Sequence, residues 1–210
     1  MADELVLYTN PMSRGRIARW MLEEIGKPYR AEILEFASMN SPEYLAINPM
    51  GKVPAVRHGD TIVTEAAAIC AYLADVFPEA GLAPPAGSRL RGPYYRWLFF
   101  GAGPIEAANT NKALKIVVPA ERTMMVGYGT QERVLQALED QLNRSEYIAG
   151  DRFTAADVYV GSHVGSGMMF GVIDKRPAFE RYWSLVGSRP AARRARAIDE
   201  GLAAARRKAG

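Results

Sequence analysis

The chain opens on a short apolar run, Leu5-Val6-Leu7-Tyr8, that stops at Thr9-Asn10-Pro11 and so predicts a buried strand followed by a loop. The period then changes. Ile17, Trp20, Met21 and Ile25 return to one helical face and end at Gly26-Lys27-Pro28, a helix with a glycine stop and a proline just beyond. Residues 29–34 predict a second strand, and strand, helix, strand at this spacing is a βαβ unit with a right-handed crossover and a parallel pair. Val53-Pro-Ala-Val-Arg-His58 and Thr61-Ile-Val63 are apolar runs around a His58-Gly59-Asp60 turn, which predicts an antiparallel hairpin. Ile69, Cys70, Tyr72, Leu73 and Val76 then place a helix over 65–77.

Beyond residue 77 the alternating pattern disappears. Residues 78–93, rich in Pro, Gly and Ala, read as a linker, and the rest of the chain is helical: 94–114, 131–142, a segment starting at Thr154, 178–186 and 191–205. Thr154-Ala-Ala-Asp157 has the form of a capping box, with Phe153 and Val158 at the two staple positions. The expected architecture is an α/β domain over 1–77, a linker over 78–93 and an all-α domain over 94–210.

Composition removes several classes. At 210 residues with 49% hydrophobic and 23% charged residues the chain is globular, and no stretch supplies the roughly 20 continuous apolar residues of a membrane span. The N-terminal residues lack the basic and apolar regions of a signal peptide, which points to the cytoplasm. One cysteine, Cys70, excludes an intramolecular disulfide; with His58 and His163 as the only histidines, a cysteine/histidine metal cluster is excluded too. The net charge of +3 is uneven, because residues 189–210 hold seven basic and two acidic residues. That run reads as a solvated helix face, with no nucleic-acid partner implied.

Two places combine groups that chemistry needs. Pro54 stands at the start of an apolar strand, where it has no N–H for a ladder; a cis Val53–Pro54 bond would turn the backbone of Val53 toward an extended ligand. Glu65 follows Thr64, a candidate N-cap, and so lies at the positive end of the helix over 65–77. An α-amino acid group needs a carboxylate for its ammonium and amides for its own carboxylate. This spot offers both.

Three segments, Tyr8-Thr-Asn-Pro-Met-Ser13-Arg-Gly-Arg16, Asn48-Pro-Met-Gly-Lys52-Val53-Pro54 and Thr64-Glu65-Ala66, together with the box at Thr154, make the whole chain resemble a cytosolic-type glutathione transferase of the bacterial, serine type. The resemblance implies a thioredoxin-like first domain, an all-helical second one and glutathione as co-substrate, with no metal. By it, Val53 and Pro54 would present backbone to the cysteinyl unit, Glu65 and Ala66 would hold the γ-glutamyl end, and Lys52 would approach the glycine carboxylate. Many relatives carry a serine where Ala66 stands, so one hydrogen bond would be missing here.

For the thiolate the resemblance offers Ser13, in the loop after the first strand, with Tyr8 as the alternative. Met12, Trp97, Phe100 and Met168 would wall an apolar acceptor pocket, against the plainer reading of such residues as core. The implied activity is conjugation of glutathione to an apolar electrophile, in detoxification, by a cytoplasmic homodimer with no membrane partner. Glutathione-dependent peroxide or disulfide reduction and a non-catalytic binding role are the alternatives. Cys70 and His163 read as structural, and His58 as a solvated turn residue.

Overall fold

The structure, a computed structural model, describes residues 4–209. Its first compact unit starts with strand β1 (Leu5–Thr9), buried along its whole length, as the unbroken apolar run requires of a central strand. Helix α1 (Gly15–Ile25) ends where Gly26 takes a left-handed conformation, φ 70°, and its N–H closes on the Leu22 carbonyl. Strand β2 (Arg30–Ile33) then pairs parallel to β1, completing the βαβ unit. After a 3₁₀ turn (Phe36–Asn40) and the single-turn helix α2 (Pro42–Leu45), strands β3 (Ala55–His58) and β4 (Thr61–Thr64) form the antiparallel hairpin, followed by helix α3 (Ala66–Val76). The sheet order is β2-β1-β3-β4, with β1 antiparallel to β3.

Helices α1 and α3 pack on each other and on the sheet. Val6, Tyr8, Met39, Tyr44 and Ala55 form a separate cluster against Leu34, Ile47 and Val53.

The second compact unit, Gly81–Ser188, is helical. It contains α4 (Arg91–Phe100), α5 (Glu106–Ala113), α6 (Gln131–Leu142), α7 (Ala155–Met169) and α8 (Pro177–Gly187). The single helix expected over 94–114 is interrupted by one π-helical turn, Gly101–Ile105. Two residues account for it. Pro104 has no N–H to give an α-helical ladder, and Gly101 lies where a Cβ would come within 2.8 Å of the Tyr159 ring.

The unit boundaries differ from the sequence expectation. Helix α4 begins at Arg91 inside the expected linker, since Pro93 is tolerated in a first turn. More importantly, the segment from Arg189, with helix α9 (Pro190–Ala209), belongs to the first unit and not to the helical one. It is bound there by charge and packing against α1. Arg189 grips Glu24 through two bonds of 2.7 and 2.8 Å, Arg194 pairs with Glu23 at 3.0 Å, and Arg206 pairs with Glu35.

Asp199 accepts from Arg19 at 2.8 Å with both groups buried, and Arg19 continues to the Tyr29 hydroxyl at 3.2 Å. Breaking such a buried pair by removing one partner costs about 3–5 kcal/mol. The basic run is therefore in part a docking face, because acidic residues of α1 complement it.

Candidate active site

Strand register brings the three candidate segments to one end of the sheet. Tyr8 lies opposite Ala55, and Ala55 opposite Thr64, so these three residues form one row across β1, β3 and β4. The loop carrying Ser13 leaves β1 one residue beyond that row. Val53 and Pro54 enter β3 just before it, and Glu65 follows β4 immediately after it.

The loop from Asn10 to Arg14 is tightly held. Asn10 is buried; its amide Nδ2 donates to the Leu34 carbonyl at 2.8 Å and its Oδ1 accepts from the Met12 N–H at 2.8 Å. Ser13 sits half-buried at the start of α1. Its hydroxyl donates to the Asn10 carbonyl at 2.7 Å and accepts from the Gly15 N–H at 3.0 Å. The donated N–H polarises the hydroxyl and makes it a stronger donor. The Asn10 carbonyl holds the one proton that this hydroxyl can donate. Gly15 is required here, because a Cβ would come within 1.9 Å of the buried Thr9 Oγ1.

Tyr8 is in a different setting. It lies in the cluster with Met39 and Ala55, its ring centroid 6.0 Å from that of Tyr44.

The Val53–Pro54 peptide bond is cis. Immediately before it, the Lys52 carbonyl accepts two hydrogen bonds, from the Tyr44 hydroxyl at 2.6 Å and from Asn48 Nδ2 at 2.7 Å. Burial raises the Tyr44 phenol to about 12, with Tyr8 nearby adding to the shift, so it stays a neutral donor. The Val53 N–H and C=O make no main-chain hydrogen bond among the described residues, and the Lys52 side chain is exposed. A fixed segment with an unused amide and carbonyl is what an extended peptide backbone pairs with.

The N-cap of α3 is Glu65, not Thr64. Glu65 has φ 64° and ψ 117°, a left-handed backbone that non-glycine residues rarely adopt, and its side chain makes no capping bond. Its carboxylate is exposed and has no hydrogen bond or ion pair among the described residues. The first helical bond runs from the Ile69 N–H to the Glu65 carbonyl at 2.8 Å. The N–H groups of Ala66, Ala67 and Ala68 are thus left open beside a free carboxylate. Propensity favours threonine as a cap; what it cannot see is a carboxylate held away from the amides by a strained backbone.

The other named residues separate clearly. Met12 is 64% exposed, beside Ser13, while Phe100 and Met168 are half-buried in the helical unit. Trp97 is only 1% exposed, with the Arg96 guanidinium 3.7 Å above its ring, so this expected pocket wall is core. Cys70 is fully buried and burial pushes its thiol up, which makes it inert as a nucleophile. His58 lies on β3, half-buried, with Nδ1 3.0 Å from the Tyr72 hydroxyl and its ring against Phe77; the solvated-turn expectation fails because the turn begins one residue later. His163 is buried on α7 with Nδ1 3.6 Å from Glu106. No group of three or more metal-ligating side chains occurs among the described residues. Asn10 and Asn48 stand in the quoted segments without an assigned role and Tyr44 stands in none; for the two asparagines the available signal is a proline directly after each.

The glutathione S-transferase N-terminal domain family matches residues 3–75 and the corresponding C-terminal domain family residues 112–190. Glutathione S-transferase GstA of Escherichia coli O157:H7 is 30% identical over 165 residues, 73% of this chain and 78% of that one. Disulfide-bond oxidoreductase YghU of Escherichia coli strain K12 is 28% identical over 219 residues, 93% of this chain and 75% of that one. A sphingomonad glutathione S-transferase, solved in complex with glutathione, superposes with a TM-score of 0.76 at 28% identity, covering 93% of this chain and 98% of that one.

The chain belongs to the glutathione S-transferase family, and with it come the thioredoxin-like first domain, the helical second domain and an enzymatic role. No helix among the described residues is long and apolar enough to cross a membrane.

Proposed function

We propose that the first unit binds glutathione in an extended form and holds its sulfur as a thiolate, which attacks an apolar electrophile. The observation that carries this reading is the open first turn of α3: three free N–H groups beside the free Glu65 carboxylate, complementary to a γ-glutamyl carboxylate and ammonium. The unused backbone of Val53 pairs with the cysteinyl unit, Lys52 faces the glycine carboxylate, and the cysteinyl sulfur comes to the Ser13 hydroxyl. Ser13 turns its proton from the Asn10 carbonyl to the sulfur, favouring the anion over the thiol, whose own proton passes to solvent. The thiolate then forms a carbon–sulfur bond to the electrophile while the leaving group departs with its electron pair. Met12, exposed beside Ser13, is the acceptor contact that the first unit offers, and Trp97, buried as core, is not one.

The test combines calorimetry with glutathione and a chlorodinitrobenzene assay on Ser13→Ala. We expect unchanged affinity, a thiol pKa raised by about one unit, equivalent to about 1.4 kcal/mol, and a rate deficit at neutral pH that shrinks as pH rises. Wild-type rate and thiol pKa in Ser13→Ala, with both lost in Tyr8→Phe, would transfer the role to Tyr8.

Likeness to an oxidoreductase favours a second reading, glutathione-dependent disulfide reduction by the same thiolate. Turnover of a glutathione mixed disulfide, with no conjugation of chlorodinitrobenzene, selects it. The homodimer is part of the first reading and is checked by light scattering at micromolar concentration.

A further inference from the structure

Asn-Pro-Met occurs twice in the chain, at 10–12 and at 48–50. The two copies are built alike. Each asparagine is buried, at 2% and 3% exposure, while each methionine is exposed, at 64% and 70%. Each asparagine Oδ1 accepts the N–H of its methionine, at 2.8 and 3.1 Å. Each asparagine carbonyl accepts the N–H three residues on, from Ser13 at 3.1 Å and from Gly51 at 2.9 Å. Each Nδ2 donates to a more distant carbonyl, Leu34 at 2.8 Å and Lys52 at 2.7 Å. Side-chain and main-chain turns are thus superimposed on one residue, with proline restricting the next.

The copies differ in what they hold and in how far their amides reach. At the position three residues after the first asparagine stands Ser13, and its hydroxyl adds a bond of 2.7 Å to the Asn10 carbonyl. At the same position in the second copy stands Gly51, with φ 59° and a Cβ direction that meets Asn40 Oδ1 at 2.8 Å. A side chain there would need a left-handed backbone and would have to displace Asn40, and the Asn48 amide bonds the Lys52 carbonyl, the last acceptor before Val53.

We propose that the two Asn-Pro-Met turns are paired positioning devices with divided tasks. Asn10 fixes the Ser13 hydroxyl and through it the ionisation of the bound thiol. Asn48, with Tyr44, fixes the Lys52 carbonyl and through it the docking of the tripeptide backbone on Val53. Neither asparagine touches substrate; each acts through the residue it holds. The inference rests on the proposed glutathione reading, and its own content is the division between the two turns.

The experiment compares Asn10→Asp and Asn48→Asp, which keep the acceptor half of each turn and lose the donor half. Kinetics are measured against glutathione concentration and pH. Affinity for S-methylglutathione, a probe with no thiol to ionise, is measured by calorimetry. For Asn10→Asp we expect a thiol pKa raised by roughly half a unit or more and kcat lowered roughly 3- to 10-fold near neutral pH, recovering as pH rises, with KM and S-methylglutathione affinity within about 2-fold. For Asn48→Asp we expect KM and S-methylglutathione Kd raised roughly 5- to 10-fold, with kcat and thiol pKa unchanged.

Asn10→Ser and Asn48→Ser, each keeping a smaller acceptor, should recover part of the respective loss, and they take over the test where an aspartate variant does not fold. The division is overturned if both sites move the same parameter, or if kcat and KM change together in proportion to lost thermal stability. An unchanged thiol pKa in Ser13→Ala would instead remove the underlying reading. A raised pKa there with none in the Asn10 variants would remove this inference alone.

Discussion

Helices α3 and α7 both begin at sites that sequence patterns mark as N-termini, yet one start is closed and the other open. At α7 the Thr154 hydroxyl accepts from the Ala156 N–H at 3.3 Å, and Asp157 returns to the Thr154 N–H at 2.8 Å. Asp157 also accepts from the Thr154 hydroxyl, the Ile148 N–H and the Tyr182 hydroxyl, so both its oxygens are doubly bonded within a buried site. At α3 no side chain caps the turn, the backbone at Glu65 is left-handed, and its carboxylate lies exposed without a partner among the described residues. A helix start that satisfies itself contributes to folding. One that leaves its amides and a carboxylate unused leaves them open to solvent, at the expense of local backbone strain.

The largest effect should come from opening the closed start. Asp157→Ala strands four buried donors, and we expect a loss of about 3 kcal/mol in denaturant unfolding, with glutathione affinity unchanged in protein that remains folded. A loss under about 1 kcal/mol would mean that the box is not what holds this helix start.

The opposite sign is expected at the open start. Glu65→Gly removes both the carboxylate and the strain of φ 64°. We expect it to stabilise the fold by about 1 kcal/mol while weakening glutathione by about 2 kcal/mol in calorimetry. Glu65→Ala should show the same loss of affinity without the gain in stability. If affinity is kept in both variants, the open turn is not the γ-glutamyl site.

Closing one bond at the open start is a smaller change. Ala66 is buried at the first position of α3 and has no hydroxyl. Ala66→Ser should tighten glutathione by roughly 2- to 10-fold, and no gain would show that another group already meets that carboxylate.

The smallest expected effect concerns the Tyr44 phenol, raised to about 12 by burial and by Tyr8. Because its folded value lies above the 10.0 of a free phenol, the folded state keeps the proton longer. Its contribution to stability is full below pH 10 and drains as pH rises toward 12. Tyr44→Phe should flatten the part of the alkaline stability profile that Tyr44 contributes, leaving the part due to Tyr29, which is raised to a similar value.

Much of this molecule is local and therefore readable in one dimension. The run Leu5-Val-Leu-Tyr, the glycine stop at Gly26, the hairpin around Gly59-Asp60 and the box at Thr154 each depend on residues a few positions apart, and each forms as its pattern requires. The cis bond at Val53–Pro54 that the family resemblance implies is present. Glu65 can be picked out in the same way, because caps and strand ends are short-range features, whereas Ser13 and Lys52 are singled out through the family resemblance.

What only the tertiary structure decided are the long-range pairings. Arg189, Arg194 and Asp199 carry no mark in sequence saying that their partners are Glu24, Glu23 and Arg19, far earlier in the chain. Hence the sequence pattern alone places the C-terminal helix in the wrong unit. The burial of Trp97, the Tyr72 contact of His58 and the reach of Asn10 to Leu34 depend likewise on which surfaces meet. The strain at Glu65 is also decided this way: local propensity disfavours a left-handed glutamate, and the packed sheet and helix on either side of it impose the geometry that leaves its carboxylate free.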